Sequence, residues 1–168
     1  MRRFFSFLCL TFLACLSNHR PAAAEGKVAL FPFELVSTSL EPVHDEELAR
    51  LRLLDGLLKE RLAERGYVPV ATDPVKDAIG RYASLTNCGG CEVAMARTLG
   101  ADLAAVGWVQ KVSNLILNIN LKITDVATGK TVKAGSVDIR SNTDDSWRRG
   151  LRYLLKNRLF KEERAARP

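Results

Sequence analysis

The chain has 168 residues, 47% of them hydrophobic and 26% charged, with a formal net charge of +6 at pH 7. That size suits one domain with its own core, and no internal repeat or low-complexity linker interrupts it. The first 24 residues hold three of the 25 basic side chains and none of the 19 acids, so the remainder is only mildly basic, at +3, which argues against a nucleic-acid binder.

Residues 1–24 read as an export signal. Arg2 and Arg3 supply a positive end, an apolar run covers 4–16, and Ala22, Ala23 and Ala24 offer the small residues that a signal peptidase needs. The apolar run is short for a bilayer span, which favours cleavage near Ala24 and a periplasmic or secreted product over a retained anchor. A competing reading makes Cys15 the lipid-modified first residue of a lipoprotein; Phe12 before it and the alanine site after it favour simple cleavage.

From residue 25 to 160 the pattern is that of a single α/β domain. Residues 28–35 are an apolar run predicted as a buried first strand, with Pro32 marking one-sided pairing or a bulge because it cannot donate to a ladder. Residues 45–65 switch to helical spacing, with Leu48, Leu51, Leu54, Leu58 and Leu62 on one stripe, acids Asp45, Glu46 and Glu47 at the start and Gly66 as the stop. A short strand is predicted over 67–71. Asp73 and Pro74 then open a short helix to about residue 82, Asp73 as cap and Pro74 at a position whose N–H is not needed.

A further helix spans 91–99 and ends at Gly100. Residues 103–109 form the next strand. Over 115–123, Leu115, Leu117, Ile119, Leu121 and Ile123 alternate with more polar partners, as in a strand buried on one face and paired antiparallel. Thr128, Gly129 and Lys130 make a turn, and 132–139 return, so 103–140 reads as an antiparallel meander. Ser141 or Thr143 caps a last helix with Trp147, Leu151, Leu154, Leu155 and Leu159 on its buried stripe. Residues 161–168 read as a flexible basic tail. The expected fold is a mixed sheet of about five strands with helices packed on it, in the order β-α-β-α-α-β-β-β-α.

Several of these segments carry a resemblance. The phrase VALFPFEL, the helix ending in Arg65, Gly66 and Tyr67, the run from Ala96 through Leu99, Gly100, Ala101 and Asp102 into Val106 and Gly107, and Leu121 to Asp125 with the following turn resemble the α/β domain of the TolB amino-terminal region and the curli-secretion lipoproteins. The likeness is greater still to a family of secreted bacterial proteins of that architecture. It implies a non-catalytic module for protein–protein contact in the cell envelope, and it transfers no catalytic residue.

Cys88-Gly89-Gly90-Cys91 is the one constellation with possible chemistry. With Cys9 and Cys15 in the export signal, Cys88 and Cys91 are the pair left after cleavage. Two glycines allow the tight loop of a disulfide, and in an oxidising compartment such thiols pair. A structural bond is one reading. A thiol–disulfide helper is the other, with Cys88 attacking and Cys91 resolving, because a helix N-terminus lowers a thiol pKa. No aromatic precedes Cys88, and the strand order is not that of thioredoxin.

Other schemes lack parts. His44 stands beside Asp45 and Glu46 ahead of a helix, as a solvated capping neighbour would. With Cys88 and Cys91 it would still fall short of a zinc site, and no glycine-rich phosphate loop is present, so neither metal nor cofactor is expected. Candidates for partner contact are Arg148, Arg149, Arg152, Lys156 and Trp147 on the last helix, whose basic face could also meet an anionic surface. Trp108 and Trp147 both suit core positions as well, and Asn114, Asn118 and Asn120 mark a polar sheet face. The expected partner is an envelope protein, without nucleic acid and without stable membrane insertion.

Overall fold

The computed structural model describes residues 25–161; the expected export signal and nearly all of the expected basic tail, 162–168, lie outside the described residues. Its six strands are β1 (Gly26–Leu30), β2 (Glu34–Ser37), β3 (Tyr67–Val70), β4 (Leu103–Ser113), β5 (Ile116–Asp125) and β6 (Thr131–Ile139). Its four α-helices are α1 (Asp45–Ala63), α2 (Lys76–Ile79), α3 (Cys91–Thr98) and α4 (Asp144–Leu154).

The strands form one mixed sheet in the order β3-β1-β4-β5-β6. β1 pairs in parallel with β3 and with Leu103–Ala105 of β4, while β4, β5 and β6 make the expected antiparallel meander. The predicted first strand is in fact two. β1 stops at Leu30, and β2 resumes parallel pairing along the same edge of β4, Glu34 opposite Trp108 and Ser37 opposite Lys111. Pro32 sits in the break, where the missing N–H leaves no ladder bond unmade. Phe31 and Phe33 on either side of it are buried on opposite faces of the sheet, which joins both cores at this point.

α1 and α4 cover one face. Their core joins Leu51, Leu54, Leu58 and Leu62 of α1 to Trp147, Leu151 and Leu154 of α4 across the β5 row Leu117, Ile119, Leu121 and Ile123. Two members of the expected stripes fall outside. Leu48 is 41% exposed, while Leu57, one step off the stripe, is buried, and Leu115 is 69% exposed because β5 begins only at Ile116. α4 is capped by Thr143, whose Oγ1 accepts from the Ser146 N–H at 3.3 Å. Its last turn, Leu155–Leu159, widens to a π-helix closed by the Phe160 N–H to the Leu155 carbonyl at 3.1 Å. The wider turn keeps Leu155, Leu159 and Phe160 buried together.

On the opposite face α3 and the segment before it bury Met95, Ala96, Val75 and Leu85 against Ala29, Ala104 and Val106. The helix expected from Asp73 is shorter than predicted: a 3₁₀ turn, Asp73–Val75, leads into the single turn of α2, and Thr72 rather than Asp73 is the residue ahead of it. Small residues let the layers close. A Cβ on Gly107 would run into the Phe33 ring, and one on Gly150 would lie 2.7 Å from Ile139 Cγ2, so the link between β1 and β2 packs on β4, and α4 on the sheet, at glycine.

Candidate functional site

The Cys88 to Cys91 loop stands at the start of α3, and β2 holds it in place. Glu34 on β2 receives the Leu85 N–H at 2.7 Å and the Ser84 hydroxyl at 2.5 Å, which fixes the 3₁₀ turn Leu85–Asn87 over the sheet. Gly89 and Gly90 then take φ of +69° and +96°, a region that glycine enters without strain. The chain turns back, and Cys88 and Cys91 are joined in a disulfide with their Cα atoms 5.5 Å apart. Cys91 is buried in the core under α3 and Cys88 is half-buried.

A carboxylate missed by sequence reasoning completes this cluster. Glu92 is only 3% exposed. Its Oε2 lies 3.4 Å from the Cys88 sulfur, and its Oε1 accepts from the Lys122 ammonium at 2.8 Å across on β5. The sulfur and carboxylate atoms of Cys88, Cys91 and Glu92 lie within 4.8 Å of one another. Oxidised sulfurs carry no thiolate charge, so in this state the trio is a covalent staple beside an ion pair and not a metal centre.

A second polar cluster at the other end of the sheet was likewise unforeseen. Lys111 and Glu47 are each 1% exposed, and the ammonium lies 2.7 Å from Glu47 Oε1 and 3.4 Å from Glu41 Oε2. Burial by itself would raise the Glu47 pKa, but the Lys111 ammonium, the His44 N–H and the Asn142 amide together hold it below its ordinary value. The Glu47 carboxylate holds Lys111 above its own. Asn142 donates to Glu47 at 2.7 Å while its oxygen accepts from Trp147 Nε1 at 3.0 Å and Arg50 at 3.2 Å. This knot ties α1, the β4–β5 turn and the start of α4 together. The only hint in the sequence is a lysine at an inward position of β4.

The remaining candidates separate by exposure. Trp147 is fully buried and bonded to Asn142, so it belongs to the core and offers no contact surface. Arg148, Arg149, Arg152 and Lys156 are all exposed on the outer side of α4, with Arg149 paired to Asp145. Trp108 is half-buried on the α3 side of the sheet. Asn118 and Asn120 share that side, Asn118 bonded to Asp138 at 2.7 Å, but Asn114 does not. It lies in the β4–β5 turn, bonded to Glu41 and Asn142. His44 is the exposed residue preceding α1, and its N–H donates to Glu47 at 3.1 Å. At the carboxyl ends of β1 and β3 a cleft of about 460 Å³ runs past Asp55, whose pKa is raised by burial despite the Phe33 N–H bonded to it.

Among the described residues no helix is long and apolar enough to cross a membrane. Solved structures of similar fold include the LpoB C-terminal domain from Salmonella enterica, with 13% identity, a TM-score of 0.52, and coverage of 72% of this chain and 87% of that one. Lipoprotein GNA1162 from Neisseria meningitidis aligns with 14% identity and a TM-score of 0.50 over 70% of this chain and 82% of that one. The expected likeness to TolB is met only faintly: TolB from Acinetobacter baumannii gives a TM-score of 0.38 at 9% identity, over 80% of this chain and 28% of that one. No curated protein matches the chain. A family model does match, across residues 26–159 and so across nearly the whole described domain, and the protein belongs to that family, DUF3280, described as "Protein of unknown function (DUF2380)".

Proposed function

We propose that this protein is a non-catalytic interaction module of the cell envelope, an α/β scaffold that presents a surface to a protein partner. The observation that carries the reading is how the polar groups are disposed. The fully buried charges are paired within the fold, as in the Glu47, Lys111 and Asn142 knot and the Glu92 pair with Lys122. The basic side chains of α4, by contrast, stand exposed, and Arg149 and Arg158 line the space beside the last strand of the sheet. The export signal read in residues 1–24 and the fold shared with the lipoprotein GNA1162 support placing it in the envelope.

Photo-crosslinking tests this reading. A photoreactive residue in place of Arg148 or Arg152 in intact cells should give a discrete adduct with one envelope protein. Failure to form an adduct from any exposed position of α4 or β6, or recovery of the full-length chain in the cytosol, would overturn it.

A second reading rests on the half-exposed Cys88 at the start of α3 above a buried Cys91, the arrangement a thiol–disulfide helper needs. It requires a Cys91→Ser variant to trap mixed disulfides through Cys88 and a reduction potential in the range of catalytic disulfides. The Glu92 to Lys122 pair beside the disulfide, which ties the loop to β5, favours the structural role.

A further inference from the structure

We infer that the free edge of β6 and the adjoining flank of α4 form a docking groove in which an extended, acidic segment of a partner protein adds to the sheet as a further strand. The inference rests on the interaction-module reading and gives it a place and a partner chemistry.

Among the described residues β6 ends the sheet, paired with β5 alone. Every second N–H and C=O of such a strand points away from its neighbour and is open to another chain. Natural edges are guarded by charge, proline, a bulge or a cover. Here the irregularity lies at the start of the strand, where Thr124 pairs with Thr131. The central stretch Ala134, Gly135, Ser136 and Val137 has neither charge nor proline. It is the part of β6 left ready for pairing.

The helical layer turns this edge into a groove. Gly135 lets the last turns close down on β6, since a Cβ there would meet Leu159 Cδ1 at 2.9 Å and Arg158 Cβ at 3.2 Å. What results is a trough of about 760 Å³ along the β6 edge, with Val137 and Ile139 on the α4 side of the strand, Ser136 and Asp138 at the rim facing the other side of the sheet, and Arg149, Tyr153 and Arg158 on the helix side. Arg140 closes one end. A smaller recess of about 290 Å³ continues past Lys133 and Lys161 at the other. Arg140, Arg149, Arg158 and Lys161 thus follow the strand, with Lys133 held inward over the Phe160 ring, against Asp138 at the rim and Asp145 paired to Arg149.

A row of positive charge parallel to open backbone groups matches an extended peptide with acids at alternate positions, because alternate side chains of an added strand share one face. An anionic lipid surface would be met by Arg148, Arg152 and Lys156 on the outer side of the helix and would leave the strand edge unused. The half-exposed Tyr153 adds an aromatic contact of the sort enriched at protein interfaces.

The probe is a fluorescein-labelled eight-residue peptide alternating glutamate and valine, titrated against the whole folded chain with anisotropy and amide chemical shifts as readouts. Binding should shift the amides of β6 and α4 and weaken as salt is raised. Together Arg149→Glu and Arg158→Glu should reduce affinity by about tenfold or more, whereas Arg81→Glu, on the other side of the sheet, should leave it unchanged. N-methylation of alternate peptide amides should abolish binding in one register and spare it in the other, since only one set of amides faces β6.

The proposal is overturned if the peptide fails to bind at about 1 mM, or if a lysine–valine peptide binds as well. It is equally overturned if both methylated registers bind alike, if the shifts fall elsewhere, if only anionic vesicles compete, or if β6 is occupied by a second copy of the chain. An envelope crosslink from another face, with no peptide binding here, would sink the groove and leave the interaction-module reading standing.

Discussion

Replacing Lys111 with methionine should destabilise the fold by about 3 kcal/mol, a large effect for one side chain of almost unchanged volume. At 2.7 Å and an effective dielectric constant of about 20, the attraction between Lys111 and Glu47 is about 6 kcal/mol, much of it offset by the loss of hydration of both ions. Lys111→Met removes the attraction and leaves the Glu47 carboxylate buried without a cation. The His44 N–H and the Asn142 amide remain bonded to it, which places the loss at the lower end of the range of about 3–5 kcal/mol for breaking a buried pair.

Urea and thermal unfolding at pH 7 would measure the loss, with an expected fall in Tm of about 10 °C for a domain of this length. The damage should shrink as the pH is lowered and Glu47 takes up a proton, and Glu47→Leu with Lys111→Met should recover to within about 1 kcal/mol of the parent. A single variant that stays within about 1 kcal/mol of the parent, or a double variant as unstable as the single, would refute the reasoning.

The same pair predicts the pH profile of the unaltered protein. The Glu47 contribution is present above its unfolded pKa of 4.5 and is lost as the pH falls through its lowered folded value; that of Lys111 is present below 10.5 and is lost as the pH rises through its raised value. Stability measured by denaturation should therefore fall off outside both limits, and in Glu47→Leu/Lys111→Met those two contributions should flatten. Gly107→Ala should destabilise by about 3 kcal/mol or prevent folding, because the new methyl group must displace the Phe33 ring; differential scanning calorimetry would register it, and an unchanged Tm would contradict the packing of the link between β1 and β2 on β4. Cys88→Ser with Cys91→Ser should lose about 2 kcal/mol, as expected for so short a closed loop, with the far-ultraviolet dichroism unchanged.

Periodicity carried most of the helices and the meander. The α4 stripe Trp147, Leu151, Leu154, Leu155 and Leu159 is buried as read, because 3.6-residue spacing and one apolar neighbour suffice to choose a face. It carried less where two covers compete. Leu48 obeys the spacing of α1 yet lies near its open N-terminal end, and Leu57, one step off the stripe, is enclosed instead. Pro32 announced an interruption, but whether one strand bulged or two strands shared an edge depended on how β4 extends past it. Glu92 and Glu47 look like ordinary first-turn acids of their helices. Only the arrival of Lys122 and Lys111 from strands 30 and 64 positions away made them buried partners.

Local chemistry in the chain was enough to determine an α/β domain, its meander, its capped last helix and a cysteine pair separated by two glycines, because each follows from spacing, backbone freedom or charge within a few residues. The tertiary structure decided which acids are buried, that Trp147 serves the core, and that a basic helix flank lies along an open strand edge. Those outcomes depend on which distant segments share a face of the sheet, and the free energy of a buried charge is set by such neighbours rather than by its place in the chain.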